Sequence, residues 1–191
     1  MELTFYDSCE NKELWEKLYP YLEKEHPCII CGNNKFELWA KKNYLEAKRC
    51  VACNMISVNP HFSQEGLNKV LYPDYLTYYQ SNQIEKEQRE TAYKIDRDWV
   101  TTFVKGGKVL DIGCSGGFFL SKFSPECWER YGVEIAADAA EYARSNFGIP
   151  VRVDNIVELD FAERFDLIMF RGVIEHFRDP ISALNKCCQL L

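Results

Sequence analysis

No stretch of this 191-residue sequence approaches the roughly 20 consecutive apolar residues that a membrane-crossing helix needs. The opening, Met1 to Glu10, has neither the basic start nor the apolar run of a secretory signal. Positive charge is also scarce: 23 Lys and Arg stand against 29 Asp and Glu, for a formal net charge of -6 and a pI of about 5.2. So acidic a chain lacks the broad cationic footprint on which nonspecific nucleic-acid affinity rests. The local cluster of Lys41, Lys42, Lys48 and Arg49 is modest. There is no internal repeat and no low-complexity segment. What is present is the composition of an ordinary folded chain, 47% hydrophobic and 27% charged, with enough apolar sequence to bury a sizeable core.

Cysteine is the exception to this plainness, with nine in the chain. Disulfide scaffolds are usually short, secreted and denser in cysteine, so a reducing cytoplasm is the expected home. Cys114, Cys127, Cys187 and Cys188 lie in stretches that read as core or helix. The other pattern is Cys28-x2-Cys31-x18-Cys50-x2-Cys53. Two residues between sulfurs let one tight turn aim both at the same ion, and two such turns complete a tetrahedron. Gly32 and Asn54, each just after a pair, suit the left-handed position of such a knuckle. Four thiolates would leave no open coordination position, so the implied metal is a structural Zn2+. A pair of disulfides or uncommitted thiols are the alternatives. Neither pair joins a strand to a helix, so a thioredoxin-type redox site fits poorly. His26 and His61 read as surface or packing residues.

Four segments follow: a lead-in over 1–26, a zinc-ribbon-like module over 27–60, a connector and helix over 61–104, and an α/β domain over 105–191. Lys12 to Lys24 reads as a short helix broken at Pro20, or else as a flexible lead-in. Phe36 to Trp39 and Met55 to Val58 read as strands. Ile84 to Val104 reads as a helix with Ile84, Ala92, Ile95, Trp99 and Val100 on one apolar face, stopped by Gly106-Gly107. Beyond Lys108, strands are expected at Val109–Ile112, Tyr131–Ile135, Val151–Val153 and Asp166–Phe170. Helices are expected at Phe118–Phe123, Ala136–Phe147 and from Pro180. Such alternation predicts a parallel sheet covered by helices.

The strongest single signal is Val109-Leu110-Asp111-Ile112-Gly113-Cys114-Ser115-Gly116-Gly117-Phe118, a buried strand ending in an acid and then a small-residue turn. Ser115 and Phe118 stand where the dinucleotide fingerprint needs glycine, and no Gly-Lys-Ser/Thr follows as in a P-loop. The pattern Asp111-x-Gly113-x-x-Gly116-Gly117 resembles the first motif of class I S-adenosylmethionine-dependent methyltransferases, with Ser115 where many members have glycine. The resemblance implies a Rossmann-like sheet, here with about four parallel strands, and S-adenosyl-L-methionine as cofactor. Asp111, Gly113, Cys114, Gly116 and Gly117 would wrap its methionine part. Glu134 matches the acid that holds the ribose hydroxyls, a task suited to a carboxylate facing a vicinal diol. Asp154 matches the acceptor of the adenine amino group, with Asn155 and Ile156 lining the base.

The run Phe165 to Phe177, including Arg171, looks like the fourth-strand motif and the segment that closes over the cofactor. Within it, Glu175 and His176 read as a general base or a divalent-ion pair near the acceptor, or as residues that merely pack. Cys50 to Pro60 and Tyr72-Pro-Asp-Tyr75 are similar to a methyltransferase subgroup with an N-terminal zinc segment. That subgroup is often associated with sugar, polysaccharide or natural-product modification. Tyr72, Tyr75, Tyr78 and Tyr79 are candidates to cover an acceptor pocket or to pack on the core.

The implied function is methyl transfer by direct displacement to a small-molecule or sugar-type acceptor, with no membrane partner. The alternatives are an RNA methyltransferase whose zinc module grips nucleic acid, which the acidic charge disfavours, and a non-catalytic cofactor-binding fragment. The family fold has seven strands, so the chain reads as cut short at Leu191. Its fourth strand is then expected as an exposed apolar edge open to homo-oligomer formation.

Overall fold

The computed structural model describes residues 12–42, 45–71, 76 and 83–191. The chain divides into two compact units, Met1–Pro73 and Asp74–Leu191. Tyr72, Tyr75, Tyr78 and Tyr79, and the lead-in before residue 12, lie outside the described residues.

In the first unit, helix α1 (Lys12–Leu18) gives way to a 3-10 turn at Tyr19–Tyr21, with Pro20 at the change of geometry. Trp15 and Leu18 are buried against Phe62, with the Trp15 and Phe62 rings 5.9 Å apart. Strands β1 (Phe36–Lys42), β2 (Leu45–Cys50) and β3 (Ile56–Val58) form an antiparallel sheet in that order, with a register irregularity between Leu38 and Ala40. The sequence pattern did not mark β2, because Glu46, Lys48 and Arg49 interrupt its apolar character. Their charges are satisfied locally: Lys41 pairs with Glu46 at 2.9 Å, Lys48 with Glu25, and Arg49 with Glu37 at 2.7 Å.

In the second unit, helix α2 (Gln83–Val100) precedes a four-stranded parallel sheet of order β6-β5-β4-β7. Its strands are β4 (Gly107–Ile112), β5 (Trp128–Glu134), β6 (Val151–Val153) and β7 (Leu167–Phe170). Helix α3 (Ala137–Phe147) links β5 to β6 and closes on Gly148, which takes the left-handed conformation at φ 60°. Helix α4 (Pro180–Leu190) follows β7 and is capped by Asp179, which accepts from the Ser182 N–H. Strand residues alternate between two cores. Val109 and Met169 join Tyr93, Phe119, Phe123, Trp128, Ala140 and Ala143 on one face. Leu110, Ile112 and Val133 join Ile156, Leu159, Phe165, Ala183, Cys187 and Leu190 on the other. Helices therefore cover both faces, as a parallel sheet requires.

Three expectations need correction. The buried face of α2 is turned in part from the one read in the sequence: Val100 packs against the core as expected, but Ile95 and Trp99 are 63% and 65% exposed, and Tyr93 enters the core in their stead. One residue along a helix is a rotation of about 100°. Tyr93, stacked on Phe119 with centroids 5.5 Å apart, takes the buried sector. The helix expected over Phe118–Phe123 is only a 3-10 turn at Leu120–Lys122. Positive φ at Ser115 (50°) and Gly117 (75°) takes the chain out of helical geometry just before it, and Pro125 lies close behind. Finally, β7 does end the sheet, and among the described residues nothing pairs with its outer edge. Its side chains, however, are half-buried or buried, so the edge is open in its backbone more than in its apolar surface. Among the described residues no helix is long and apolar enough to cross a membrane.

Candidate cofactor cradle and cysteine cluster

Asp111 and Glu134 sit at the carboxyl ends of the adjacent strands β4 and β5, the edge at which open parallel sheets bind ligands. Between them runs the turn Gly113 to Gly117, fastened to β5: the Gly113 and Cys114 N–H groups both donate to the Val133 carbonyl, at 2.8 and 3.1 Å. The Glu134 carboxylate is pinned at both oxygens, Oε2 by the Ser115 N–H at 2.8 Å and Oε1 by the Ala136 N–H at 2.9 Å. Burial pushes the Glu134 carboxyl up from its ordinary range, with the N–H groups of Ala136, Ser115 and Ile135 working against it.

Gly113 (φ 74°) could carry no side chain, because a Cβ there would collide with Val173, the residue that follows β7 by three positions. A Cβ on Gly117 would lie 2.9 Å from the Cβ of Ala143, so that glycine lets the turn settle onto α3. Cys114 is buried in the turn, its sulfur occupying the space left by Gly132.

Asp111 is almost fully buried, and its Oδ1 has no hydrogen-bond partner; the buried Ser115 hydroxyl has none either. Burial drives the Asp111 carboxyl up to about 8; the positive charge of Arg171 opposes the rise and the negative charge of Glu134 adds to it. Arg171 follows β7 directly, donates through Nε to Asp96 of α2 at 2.8 Å, and lies over the Tyr93 and Phe119 rings. Tyr93, Asp96 and Phe119 were not singled out from the sequence, since a contact between residues 75 apart leaves no local signal.

Asp154 and Asn155 follow β6 in an exposed turn; Asp154 Oδ1 accepts from the Asn155 N–H at 2.7 Å and Asn155 Oδ1 from the Val157 N–H at 3.1 Å. Ile156, next in the chain, is fully buried in the core with Leu110 and Ile112, where its apolar side chain is drawn out of water. Glu175 and His176 lie exposed on the 3-10 turn Ile174–His176 beyond β7.

The paired cysteines converge in the first unit. The sulfurs of Cys28, Cys31, Cys50 and Cys53 all lie within 4.8 Å of one another, with Cys28–Cys53 at 3.5 Å and Cys31–Cys50 at 3.6 Å. Four sulfurs about 2.3 Å from one zinc would stand about 3.8 Å apart, so the cluster has the size of a tetrahedral site. Gly32 (φ 71°) and Asn54 (φ 61°) take the left-handed conformation expected of them, and their N–H groups donate to the Cys28 and Cys50 carbonyls. None of the eight described cysteines is in a disulfide. Burial works against the Cys50 thiolate, yet the N–H groups of Cys53 and Ala52 and the thiol of Cys31 outweigh it and bring Cys50 down to about 7. The Met55 N–H favours the Cys53 thiolate, but burial and the other three sulfurs hold Cys53 up at about 12. One sulfur thus ionises at the expense of another, a conflict that a divalent cation among the four would remove.

His26 and His61 stay outside this cluster. Their rings meet each other through Nε2 and Nδ1 at 2.7 Å, and the buried Asn59 side chain bonds both backbone groups of His26.

A parallel sheet with helices on both faces and an acid-flanked glycine turn at the strand ends defines the Rossmann-like class of fold. The chain belongs to the methyltransferase domain family, which matches residues 84–191. Its relatives include the ubiquinone biosynthesis O-methyltransferases of Rhodopseudomonas palustris (strain BisB5), 32% identical over 93 residues, and of Proteus mirabilis (strain HI4320), 31% identical over 93 residues. These matches cover 46% and 45% of this chain and 37% and 38% of those proteins, so the chain spans well under half the length of the relatives it matches. Among solved structures, the plantazolicin methyltransferase BpumL in complex with a monoazolic desmethylPZN analog and SAH superposes with a TM-score of 0.53 at 18% identity, covering 66% of this chain and 52% of that one. The fold is shared at that distance.

Proposed function

We propose that the protein transfers a methyl group from S-adenosylmethionine to a small-molecule acceptor. The observation that carries this reading is the Glu134 carboxylate, buried at the end of β5 and held by two backbone N–H groups, that of Ser115 in the glycine-rich turn and that of Ala136 just after the strand. So fixed, it keeps lone pairs for the two hydroxyls of a ribose. The residues around it fit the group. Asp111 Oδ1 and the Ser115 hydroxyl are buried polar atoms without partners, which suits a ligand that brings its own. Two buried acids also suit a donor with a sulfonium and an ammonium.

In this reading Gly113, Cys114, Gly116 and Gly117 let the backbone approach the methionine part, while Asp154 and Asn155 serve the adenine end. Arg171 acts behind Asp111. Bound S-adenosylmethionine supplies an already activated methyl, so the protein has chiefly to align the acceptor and exclude water. Glu175 or His176, on the exposed turn beyond β7, is the candidate to take a proton from an acceptor hydroxyl. The ubiquinone-pathway relatives support a small-molecule oxygen acceptor, and a sugar-type hydroxyl falls in the same chemical class. The cysteine cluster is proposed to hold one structural zinc ion through Cys28, Cys31, Cys50 and Cys53.

Titration calorimetry with S-adenosylmethionine tests the donor site. Micromolar binding to the wild type, weakened at least tenfold in Glu134→Gln, is the expected result. Equal affinity in the two proteins would remove Glu134 from the site and the reading with it.

A further inference from the structure

We propose that Ser115 is a donor-specificity residue: its buried, unpartnered hydroxyl bonds one ribose hydroxyl that Glu134 also holds, and the ligand-free turn is less stable for carrying it. The choice of ligand rests on the methyltransferase reading; the unpartnered hydroxyl does not.

The turn takes positive φ at alternating positions, 74° at Gly113, 50° at Ser115 and 75° at Gly117, so glycine fills the first and the last but not the middle. A serine in the left-handed region carries a Cβ that crowds the backbone, a strain that glycine avoids. Among the described residues Asn54 is the one other non-glycine residue at positive φ. Asparagine tolerates that region, and Asn54 closes a cysteine turn through its N–H to the Cys50 carbonyl at 3.0 Å. Ser115 has no such account. Its side chain is unfavourable on a second count, because Oγ makes no hydrogen bond although the residue is only 7% exposed. Alanine would remove the second of these costs, and glycine both.

The backbone of Ser115 says which ligand group its hydroxyl meets. The Ser115 N–H donates to Glu134 Oε2 at 2.8 Å. The covalent geometry of serine keeps Oγ within about 4 Å of that nitrogen in every rotamer. Nothing bonds Oγ, so no partner fixes the rotamer in which it waits. A vicinal diol presents its two hydroxyls to the two carboxylate oxygens, and each hydroxyl keeps lone pairs after donating. The hydroxyl on Oε2 stands beside the Ser115 O–H and can accept from it. The hydroxyl on Oε1 has no such neighbour, because Ala136, whose N–H holds Oε1 at 2.9 Å, has no polar side chain. Ser115 therefore adds a bond to one ribose hydroxyl and not to the other.

The test compares wild type with Ser115→Ala, which removes the hydroxyl and keeps Cβ. Calorimetry is run with S-adenosylhomocysteine and with its two monodeoxyribose analogues, beside thermal unfolding of the ligand-free proteins. Ser115→Ala is expected to melt above the wild type and yet to bind S-adenosylhomocysteine roughly fivefold more weakly. With one deoxy analogue that difference is expected to vanish, because the hydroxyl that Ser115 meets is gone; with the other it is expected to persist. Equal affinity of the two proteins for S-adenosylhomocysteine, or a penalty kept in full with both analogues, would overturn the proposal. So would a lower melting temperature in Ser115→Ala, since it would reveal a structural bond of the hydroxyl. Should that variant fail to fold, Ser115→Gly, which relieves the positive φ, enters the same comparison. A wild type that does not bind S-adenosylhomocysteine sinks the methyltransferase assignment and this proposal together, whereas binding that is indifferent to Ser115 sinks this proposal alone.

Discussion

Replacing Asp111 by Asn should change the pH dependence of stability more than stability itself. In an unfolded chain this carboxyl loses its proton near the ordinary value of 3.8, whereas in the folded protein burial holds the proton on until about pH 8. Between those limits the folded state binds one proton more than the unfolded state. Stability must therefore be complete below pH 3.8 as far as this group is concerned, fall as the pH rises through the window, and level off above about 8. Each pH unit inside the window costs about 1.4 kcal/mol. From pH 6 to pH 8 the wild type should lose about 2 kcal/mol relative to Asp111→Asn, whose side chain does not titrate. For a domain of this size that corresponds to a difference in Tm drift of roughly 5–10 °C. The assay is thermal unfolding by circular dichroism at half-unit steps from pH 5 to 9, comparing slopes so that any constant offset from the new amide drops out. Parallel curves would refute the reasoning, since they would mean that Asp111 is already ionised in the folded protein and that burial does not govern it.

Other consequences are as direct. Gly113→Ala drives a methyl group into Val173 and strains a positive φ, so donor affinity measured by calorimetry should drop at least tenfold. Chelation should strip one zinc per chain, read by atomic emission, and lower the melting temperature; in Cys50→Ser the zinc should be lost without chelation, and a zinc-free wild type with unchanged melting would contradict the assignment. Phe123→Ala, at a fully buried site, should cost about 3–5 kcal/mol in urea unfolding. By contrast Trp99→Ala, on the outward face of α2, should stay within about 0.5 kcal/mol.

The parts of the fold that were legible in the sequence are those with local causes. Buried parallel strands are short apolar runs, so β4 and β7 stood out, and Gly148 with Pro150 marked the end of α3. The left-handed turns at Gly32 and Asn54 were legible because a Gly and an Asn stand just after the two cysteine pairs. What escaped was set by distant contacts. Strand β2 is half charged and is held by cross-strand pairs such as Arg49–Glu37. The buried face of α2 was set by Tyr93, whose partners Phe119 and Arg171 lie far along the chain, so apolar spacing pointed to Ile95 and Trp99 instead. The turn after Gly113 failed to open into a helix because Ser115 adopts a positive φ that its side chain does not advertise.

The account is tested most directly by a crystal structure of the protein with S-adenosylhomocysteine. It predicts the ribose hydroxyls on the Glu134 carboxylate, with the homocysteine part along residues 113–117 beside Asp111. Ligand density elsewhere, or a Glu134 that keeps only its Ser115 and Ala136 bonds while the ligand is bound away from it, would contradict the assignment.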